Sequence, residues 1–217
     1  MTQGFLYSVY SKNFKIHKYF KDEFLVSLSS LKSVLPDCSV TLYTNILSIN
    51  PDRYRNIDHI IYDQKMPTKH IAKAYGLLRS PYKKTIFLDC DTVVHRNTLN
   101  DVFDVLDEFD FACCYGNNYN KGEVFPDLNT GLIGVQKNNF TDHSIRQWTR
   151  GFWNDNMSSD QKHFRKIFIN NKKRFYILPW WFQNRAEHFI RYRDNVVITH
   201  SRTMDKNLTI QNIKNNL

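Results

Sequence analysis

Short apolar stretches alternate with amphipathic stretches along the first half of the chain. Runs rich in β-branched and aromatic residues predict strands at 4–9 (GFLYSV), 40–45 (VTLYTN), 59–63 (HIIYD), 84–89 (KTIFLD) and 109–115 (FDFACCY). Apolar residues at helical spacing predict helices over 14–35, over 68–78 with Thr68 as the N-terminal cap, and over 99–106. This alternation of strands and helices predicts an α/β fold with a Rossmann-like N-terminal half.

The pattern is looser beyond Asn120. It predicts a strand at 130–136 (TGLIGVQ), helices near 140–152 and 159–169, and a late strand at 196–200 (VVITH). We expect this half to extend the same sheet, which would give a mixed central sheet flanked by helices. A chain of 217 residues can form one domain of this kind. That domain would span 1–217, with halves at about 1–115 and 116–206 and a polar tail at 207–217.

Composition narrows the class of protein. The first residues lack the basic head and long apolar run of a signal peptide, and no stretch of eighteen apolar residues occurs. The four cysteines form no CxxC pair, which favours reduced thiols and a cytoplasmic protein. Between Arg146 and Lys206, thirteen Lys or Arg face five Asp or Glu. This surplus predicts either a solvated basic face or a surface for phosphates, as in a nucleotide, an anionic membrane or nucleic acid.

Two carboxylates follow the fourth predicted strand, in the stretch TIFLDCDTVV at 85–94. In an extended backbone, Asp89 and Asp91 project to one side and Cys90 to the other. Carboxylates this close repel each other, and a hard divalent cation such as Mg²⁺ or Mn²⁺ relieves the repulsion. An Asp-x-Asp triplet also arises by chance about once in a chain with this many aspartates. Its position favours a function, since ligands of open α/β sheets bind beyond the carboxyl ends of the strands.

Two further groups of polar residues lie at the start of a predicted strand and of a predicted helix. Asn129, Thr130 and Gly131 precede a strand. There an Asn side chain can hold a sugar hydroxyl beside a glycine that admits a ligand, or the three residues can form an ordinary strand-entry turn. Asp160, followed by Gln161, opens a predicted helix. Its carboxylate either stabilises the helix N-terminus or points into the cleft.

His200 ends the last predicted strand, and Lys206 follows six residues later. A histidine at a strand end is more often a packing or surface residue than a ligand. As a ligand, its neutral imidazole would complete the coordination begun by the two acids. Lys206 would then supply a positive charge for a phosphate.

In their order along the chain, these motifs resemble those of glycosyltransferases with the GT-A fold, most nearly glycosyltransferase family 8 and its relatives. Those enzymes carry an Asp-x-Asp metal motif after an apolar strand, an Asn-x-Gly step entering a later strand, an Asp-Gln pair and a C-terminal His-x5-Lys. The resemblance runs from about Gly4 to Lys206 and is strongest over 71–95. In the family a Gly usually lies between the His and the Lys, and Pro-Trp follows. Here 201–205 read SRTMD, and Asn207 and Leu208 follow.

The resemblance implies a GT-A fold with a nucleotide-binding half at about 1–115 and an acceptor-side half at about 116–206. It implies that Mn²⁺, or Mg²⁺, is bound by Asp89, Asp91 and His200, with Lys206 on the diphosphate. Contacts to the rest of the donor would come from nine residues: Ser8, Tyr10 and Ser11 near the base and ribose, Lys73 on the helix before the motif, and Asn129, Thr130, Gly131, Asp160 and Gln161 near the sugar and its reacting carbon. For Tyr10, packing in the core is the alternative to stacking on the base.

The implied activity is transfer of a sugar from a UDP-sugar to a glycan, lipid-linked or protein acceptor, with the anomeric configuration retained. If Asp160 were a general base, the configuration would invert. A metal-dependent nucleic-acid-processing protein is one alternative, but it leaves the Asn129 and His200 signals unexplained, so we expect no nucleic-acid partner. A non-catalytic nucleotide- or glycan-binding module is the other alternative.

The segment LPWWFQNR, at 178–185, offers two aromatic residues for an acceptor. Trp180 and Trp181 can stack on a sugar ring or lie at a membrane interface, unless at least one of them packs in the core. The nearby Arg185, Arg191 and Arg193 favour an anionic lipid or glycan acceptor. We therefore expect a cytoplasmic protein with peripheral contact to an anionic membrane.

Overall fold

In the described part of the chain, seven strands form the central sheet. The structure is a computed structural model that describes residues 2–13, 15, 23–50, 54–116, 124–156, 159–185 and 195–200, with the backbone alone at 184 and 185. The strands are β1 (Gln3–Val9), β2 (Val40–Thr44), β3 (His59–Tyr62), β4 (Lys84–Leu88), β6 (Phe111–Tyr115), β7 (Leu128–Gln136) and β8 (Phe175–Ile177). Their order across the sheet is β3-β2-β1-β4-β7-β6-β8, and every strand except β7 runs in one direction.

Helices cover both faces of this sheet. They are α1 (Leu25–Val34), α2 (Ala72–Arg79), α3 (Val102–Glu108), α4 (Asn139–Asn154) and α5 (Asp160–Asn170). Alternate residues of β1 point to opposite faces, so Tyr7 packs in the cluster that contains α1 and α3 while Leu6 packs in the cluster that contains α2, α4 and α5. The result is a three-layer α/β/α arrangement with an apolar core on each side of the sheet.

A second, three-stranded sheet lies at the carboxyl end of β4. Its strands are β5 (Thr92–Val94), β9 (Asn184–Arg185) and β10 (Ile198–His200), in the order β5-β10-β9. β5 and β10 are antiparallel, with Thr92 opposite His200. This pairing joins the segment that follows β4 to residues more than a hundred positions later in the chain.

The structure agrees with most of the predicted elements and corrects others. The strand predicted at 196–200 does not extend the central sheet but belongs to the second sheet, because it pairs with β5. The helix predicted from Thr68 begins at Ala72 instead, and Ile71 precedes it without a side-chain cap. α1 begins at Leu25, while 14 and 16–22 of the predicted helix, like the tail at 207–217, lie outside the described residues.

Within the described ranges, none of the helices has both the length and the apolar character needed to cross a bilayer.

Candidate active site

The candidate site lies where the strand order reverses between β1 and β4, at the carboxyl ends of these parallel strands. Asp89 follows the last residue of β4, and its backbone is held on both sides. Its N–H donates to the carbonyl of Gly131 at 2.8 Å, and its carbonyl accepts from the Thr92 hydroxyl at 2.7 Å. The first carboxylate of the motif therefore leaves the core at a fixed point between β7 and β5.

The three predicted metal ligands come together in the structure. Each of Asp89, Asp91 and His200 offers one ligand atom, and these atoms all lie within 4.8 Å of one another. The imidazole Nδ1 of His200 is 3.7 Å from a carboxylate oxygen of Asp91. The pairing of β5 with β10 causes this convergence, because it sets His200 opposite Thr92, the residue after Asp91.

Three observations test whether these residues suit a divalent cation. The Nε2 atom of His200 is buried and has no hydrogen-bond partner among the described residues, so its lone pair or proton is available. A Cβ at Gly131 would lie 2.1 Å from Cε1 of His200 and 3.0 Å from a carboxylate oxygen of Asp89, so only glycine leaves this space open. Burial raises the pKa of Asp91, His200 opposes that shift, and the charge of Asp89 adds to it. A donor set of two carboxylates and an imidazole fits Mn²⁺ or Mg²⁺.

Lys73 provides the positive charge of the site. It lies on α2, is 5% exposed, and its ammonium is 3.0 Å from a carboxylate oxygen of Asp89 and 3.5 Å from one of Asp160. The same ammonium donates to the backbone carbonyl of Thr130 at 3.0 Å. Burial alone would lower the pKa of Lys73, but the charges of Asp89 and then Asp160 outweigh burial and raise it, so this lysine stays protonated.

Asp160 both opens helix α5 and faces the site. The N-cap of α5 is Ser159, whose side chain accepts from the Lys162 backbone N–H, so the Asp160 carboxylate is free to turn inward. There it accepts from the Thr130 hydroxyl at 2.8 Å. Burial would raise the pKa of Asp160, but the Lys73 charge and then the Thr130 hydrogen bond outweigh it and lower the pKa.

Acidic groups outnumber basic ones in the described part of the site. Three carboxylates, those of Asp89, Asp91 and Asp160, face the single ammonium of Lys73 there. Uncompensated charge in a partly buried site is unfavourable. A divalent cation carries the charge that would neutralise the remainder.

An irregularity in the pairing of β7 places residues Asn129–Gly131 in the site. Pairing with β6 jumps from Cys113 opposite Ile133 to Cys114 opposite Asn129, so the intervening residues of β7 leave the β6 ladder. The Asn129 side chain accepts from the backbone N–H of Gly131 at 2.7 Å. The sequence predicts that these residues precede a strand, but they lie inside β7, which begins at Leu128. Thr130 is 1% exposed, and its hydroxyl is used by Asp160.

Ser8 lies inside β1 while Tyr10 and Ser11 follow it, and the three residues differ in their surroundings. The Ser8 hydroxyl is buried and has no hydrogen-bond partner in the described part of the chain. Tyr10 is partly buried, and burial raises its pKa, with Lys73 and Asp89 close enough to act on its hydroxyl. Ser11 is buried, and its backbone is held by two hydrogen bonds of 2.8 Å with the Asn45 side chain.

The remaining predicted residues either make no described contact with this cluster or lie outside the described residues. Gln161 is partly exposed on the first turn of α5. Trp180 and Trp181 are 47% and 36% exposed and lie edge to face, so neither is a core residue. Lys206, Arg191 and Arg193, together with the side chain of Arg185, lie outside the described residues.

Two residues whose hydroxyl groups hold the backbone of Asp89 were not identified in the sequence. Thr92 contacts the Asp89 carbonyl directly, and Ser27 contacts Thr92. The available signal was the position of Ser27 and Ser30 on the face of α1 that also carries buried leucines. Polar residues on the apolar face of a helix need a buried partner.

No protein-family model matches this sequence, and no curated protein sequence matches it either. Solved structures do match. The glycosyltransferase GlyE of Streptococcus pneumoniae TIGR4 aligns with 94% of this chain at 14% identity and a TM-score of 0.66, and the chain spans 55% of its length. A glycosyltransferase involved in glycosylation of the major capsid of PBCV-1 aligns with 97% of this chain and 100% of its own, at 10% identity and a TM-score of 0.64.

Mouse xyloside xylosyltransferase 1 aligns with 94% of this chain and 98% of its own, at 12% identity and a TM-score of 0.62. These neighbours show that the chain has the GT-A fold, as the sequence predicts. At such identities the likeness concerns the fold.

Proposed function

We propose that this chain is a metal-dependent glycosyltransferase that takes a sugar from a nucleoside-diphosphate donor, with UDP-sugars as the donor class. The observation that carries the proposal is the convergence of Asp89, Asp91 and His200 within 4.8 Å of one another, beside the buried ammonium of Lys73. This cluster lies at the carboxyl ends of β1 and β4 in a GT-A fold, where ligands of open α/β sheets bind.

The three ligands would hold Mn²⁺ or Mg²⁺ in this role. A bound divalent cation neutralises the charge that develops on a departing diphosphate, which lowers the barrier by several kcal/mol. Lys73 holds the Asp89 and Asp160 carboxylates in place, because its ammonium contacts both. Gly131 leaves room for His200 to face the two acids. Ser8, Tyr10 and Ser11 would border the nucleoside, at the end of the neighbouring strand β1.

The environment of Asp160 bears on the stereochemistry. A general base works best when its pKa lies near the operating pH. Asp160 has the opposite character, since its pKa is lowered, its carboxylate accepts from Thr130, and Lys73 lies 3.5 Å away. We therefore propose that Asp160 positions Lys73 and Thr130 and does not deprotonate the acceptor, which favours retention of configuration.

The exposed pair Trp180 and Trp181 is our candidate for the acceptor side. Half-exposed indole rings stack well on sugar rings, and the Trp181 carbonyl accepts from the N–H of Val197, just before the strand that carries His200. Together with the basic surplus over 146–206, this favours an anionic glycan or lipid-linked acceptor.

A thermal-shift panel of nucleotide sugars, with and without Mn²⁺, tests the proposed function. We expect one UDP-sugar to raise the melting temperature in the presence of Mn²⁺, and we expect the Asp91→Ala variant to lose that increase. Mn²⁺-dependent release of UDP from the same sugar would establish turnover and separate the enzyme from a module that only binds. A panel without any metal-dependent stabilisation would contradict the proposal.

A further inference from the structure

Three buried hydroxyl groups form a continuous chain that ends on the backbone of Asp89. The Tyr7 hydroxyl, on β1, is 3.1 Å from the Ser27 hydroxyl on α1. The Ser27 hydroxyl is 2.8 Å from the Thr92 hydroxyl, which donates to the Asp89 carbonyl at 2.7 Å. Each of the three side chains belongs to a residue at most 1% exposed, so water does not compete for these bonds.

Counting protons fixes the direction of this chain. A hydroxyl has one proton to donate, and that of Thr92 goes to the Asp89 carbonyl. Ser27 must therefore donate to Thr92, and Tyr7 must donate to Ser27. Burial strongly raises the pKa of Tyr7, so its phenol keeps the proton that this arrangement needs. Successive bonds of one direction polarise and strengthen one another.

Helix α1 also holds the other end of β5. The backbone N–H of Val94 donates to the Ser30 hydroxyl at 3.0 Å, and that hydroxyl donates to the Ser27 carbonyl at 2.7 Å. One helix thus holds the first and last residues of the strand that follows the Asp-x-Asp motif. Because β5 pairs with β10, the same contacts set the position of His200 opposite Thr92.

We propose that the Tyr7–Ser27–Thr92 hydroxyl chain positions the cation ligands. The inference rests on the proposed function, since it takes Asp89, Asp91 and His200 as those ligands. These hydroxyls contact neither cation nor substrate. They act through the Asp89 carbonyl and through β5, which together set how far apart the three ligands lie. Partners that orient metal ligands in this way typically contribute 10- to 100-fold in metal affinity.

The direction of the hydroxyl chain predicts that its members differ in their effect on Mn²⁺ affinity. Thr92→Val removes the bond to Asp89 itself and also the acceptor of the Ser27 proton, so we expect Mn²⁺ affinity to fall by about 10- to 100-fold. Ser27→Ala leaves the Thr92 bond to Asp89 in place and should have a smaller effect. Tyr7→Phe removes only the far donor and should have the smallest. Thr92→Ser keeps the hydroxyl and should retain the affinity.

The experiment is a titration of Mn²⁺ into the full chain without nucleotide. Electron paramagnetic resonance measures the concentration of free Mn²⁺ at each point. Thr85→Val is the matched control. Thr85 is a buried threonine on β4, at the opposite end of the strand from Asp89, and its hydroxyl lies 2.6 Å from that of Ser80. We expect this control to lose stability but to bind Mn²⁺ as the unaltered chain does.

Each result has one meaning. Thr92→Val with unchanged Mn²⁺ affinity would overturn the positioning role and leave the proposed function intact. Equal losses in Thr92→Val and Thr85→Val would also overturn it, because the effect would then be one of general stability. If Thr92→Val does not fold, the order of Thr92→Ser, Tyr7→Phe and Ser27→Ala decides. An unaltered chain that binds no Mn²⁺ would instead overturn the cation site and the proposed function.

Discussion

At the residue scale, the stability of the site depends on the charge of Lys73. Its ammonium is buried between Asp89 and Asp160 and contacts the Thr130 carbonyl. Lys73→Met keeps the length of the side chain and leaves both carboxylates without their buried partner. We expect the free energy of unfolding at pH 7 to fall by about 3–5 kcal/mol, measured by urea denaturation.

Lys162→Met is the matched control for that substitution. Lys162 also forms an ion pair, with Asp155 at 2.9 Å, but its side chain is half exposed. Exposed pairs contribute roughly 0–1 kcal/mol, so this variant should be nearly as stable as the unaltered chain. Equal losses in the two variants would contradict the role given to Lys73.

The ionisation of Asp160 predicts how stability changes with pH. Its pKa is lowered in the folded chain, so its contribution is present above the pKa of about 3.9 that an unfolded Asp has, and is lost as the pH falls through the folded value. Asp160→Asn should therefore be less stable than the unaltered chain at pH 7, and this difference should shrink below about pH 4.

Urea denaturation from pH 7 down to about pH 2.5, well below the pKa of an unfolded Asp, measures that difference. Asp104→Asn, on the exposed side of α3, is the control, because this carboxylate is exposed and not buried beside a lysine. A difference for Asp160→Asn that stays constant down to the lowest pH would be inconsistent with a lowered pKa.

Gly131 is the residue whose size sets the space for His200. Gly131→Ala would put a Cβ 2.1 Å from the imidazole Cε1 and 3.0 Å from a carboxylate oxygen of Asp89, so the arrangement of the ligands must change. We expect Mn²⁺ affinity to fall about tenfold or more, measured by the same titration of free ion. Gly134→Ala, on the same strand but against Ala112 and α3, should lower stability and leave Mn²⁺ affinity unchanged. Unchanged Mn²⁺ binding by Gly131→Ala would contradict the proposed role of His200.

At the scale of elements, substitutions of the N-terminal caps of α4 and α5 should affect stability and activity differently. Asn138 accepts from two backbone N–H groups of α4, at 2.9 and 3.0 Å, whereas Ser159 accepts from one in α5, at 3.4 Å. Asn138→Ala should therefore cost more stability, about 1–2 kcal/mol against about 0.5 for Ser159→Ala. Only Ser159→Ala should reduce sugar transfer, because α5 begins with Asp160.

Melting temperatures give the stability of the two variants, and the rate at which each variant releases UDP from the donor gives its activity. A loss of activity that follows stability in both variants would show that α5 has no special part in the site.

Some strands are determined by their own sequence, and others form only through pairing with distant segments. The strands β1, β2, β4 and β6 could be predicted because each is a long apolar or aromatic run whose burial dictates its structure. The two- and three-residue strands β5, β8 and β9 could not, because they exist only through pairing with distant segments. The same reason explains why VVITH was assigned to the wrong sheet: nothing local distinguishes an edge of one sheet from another.

At the scale of the whole molecule, the candidate site combines residues from five parts of the chain: α2, the segment after β4, β7, α5 and β10. Asp89 and Asp91 were predictable because an apolar strand led directly into them. His200 and Lys73 were assigned from a family resemblance, and only the fold brings them within contact of the acids. The hydroxyl chain through Ser27 was missed because no motif marks it. Its partners are set by the packing of α1 on β5.

We propose that Asp89, Asp91 and His200 hold a divalent cation against the diphosphate of the donor. The most direct test is anomalous diffraction at the manganese absorption edge, from a crystal of the chain grown with Mn²⁺ and UDP. We predict one strong peak, roughly 2–2.5 Å from both carboxylates and the imidazole and in contact with the diphosphate. Nucleotide bound with no manganese at this position, or with the imidazole turned away from the two acids, would contradict the account.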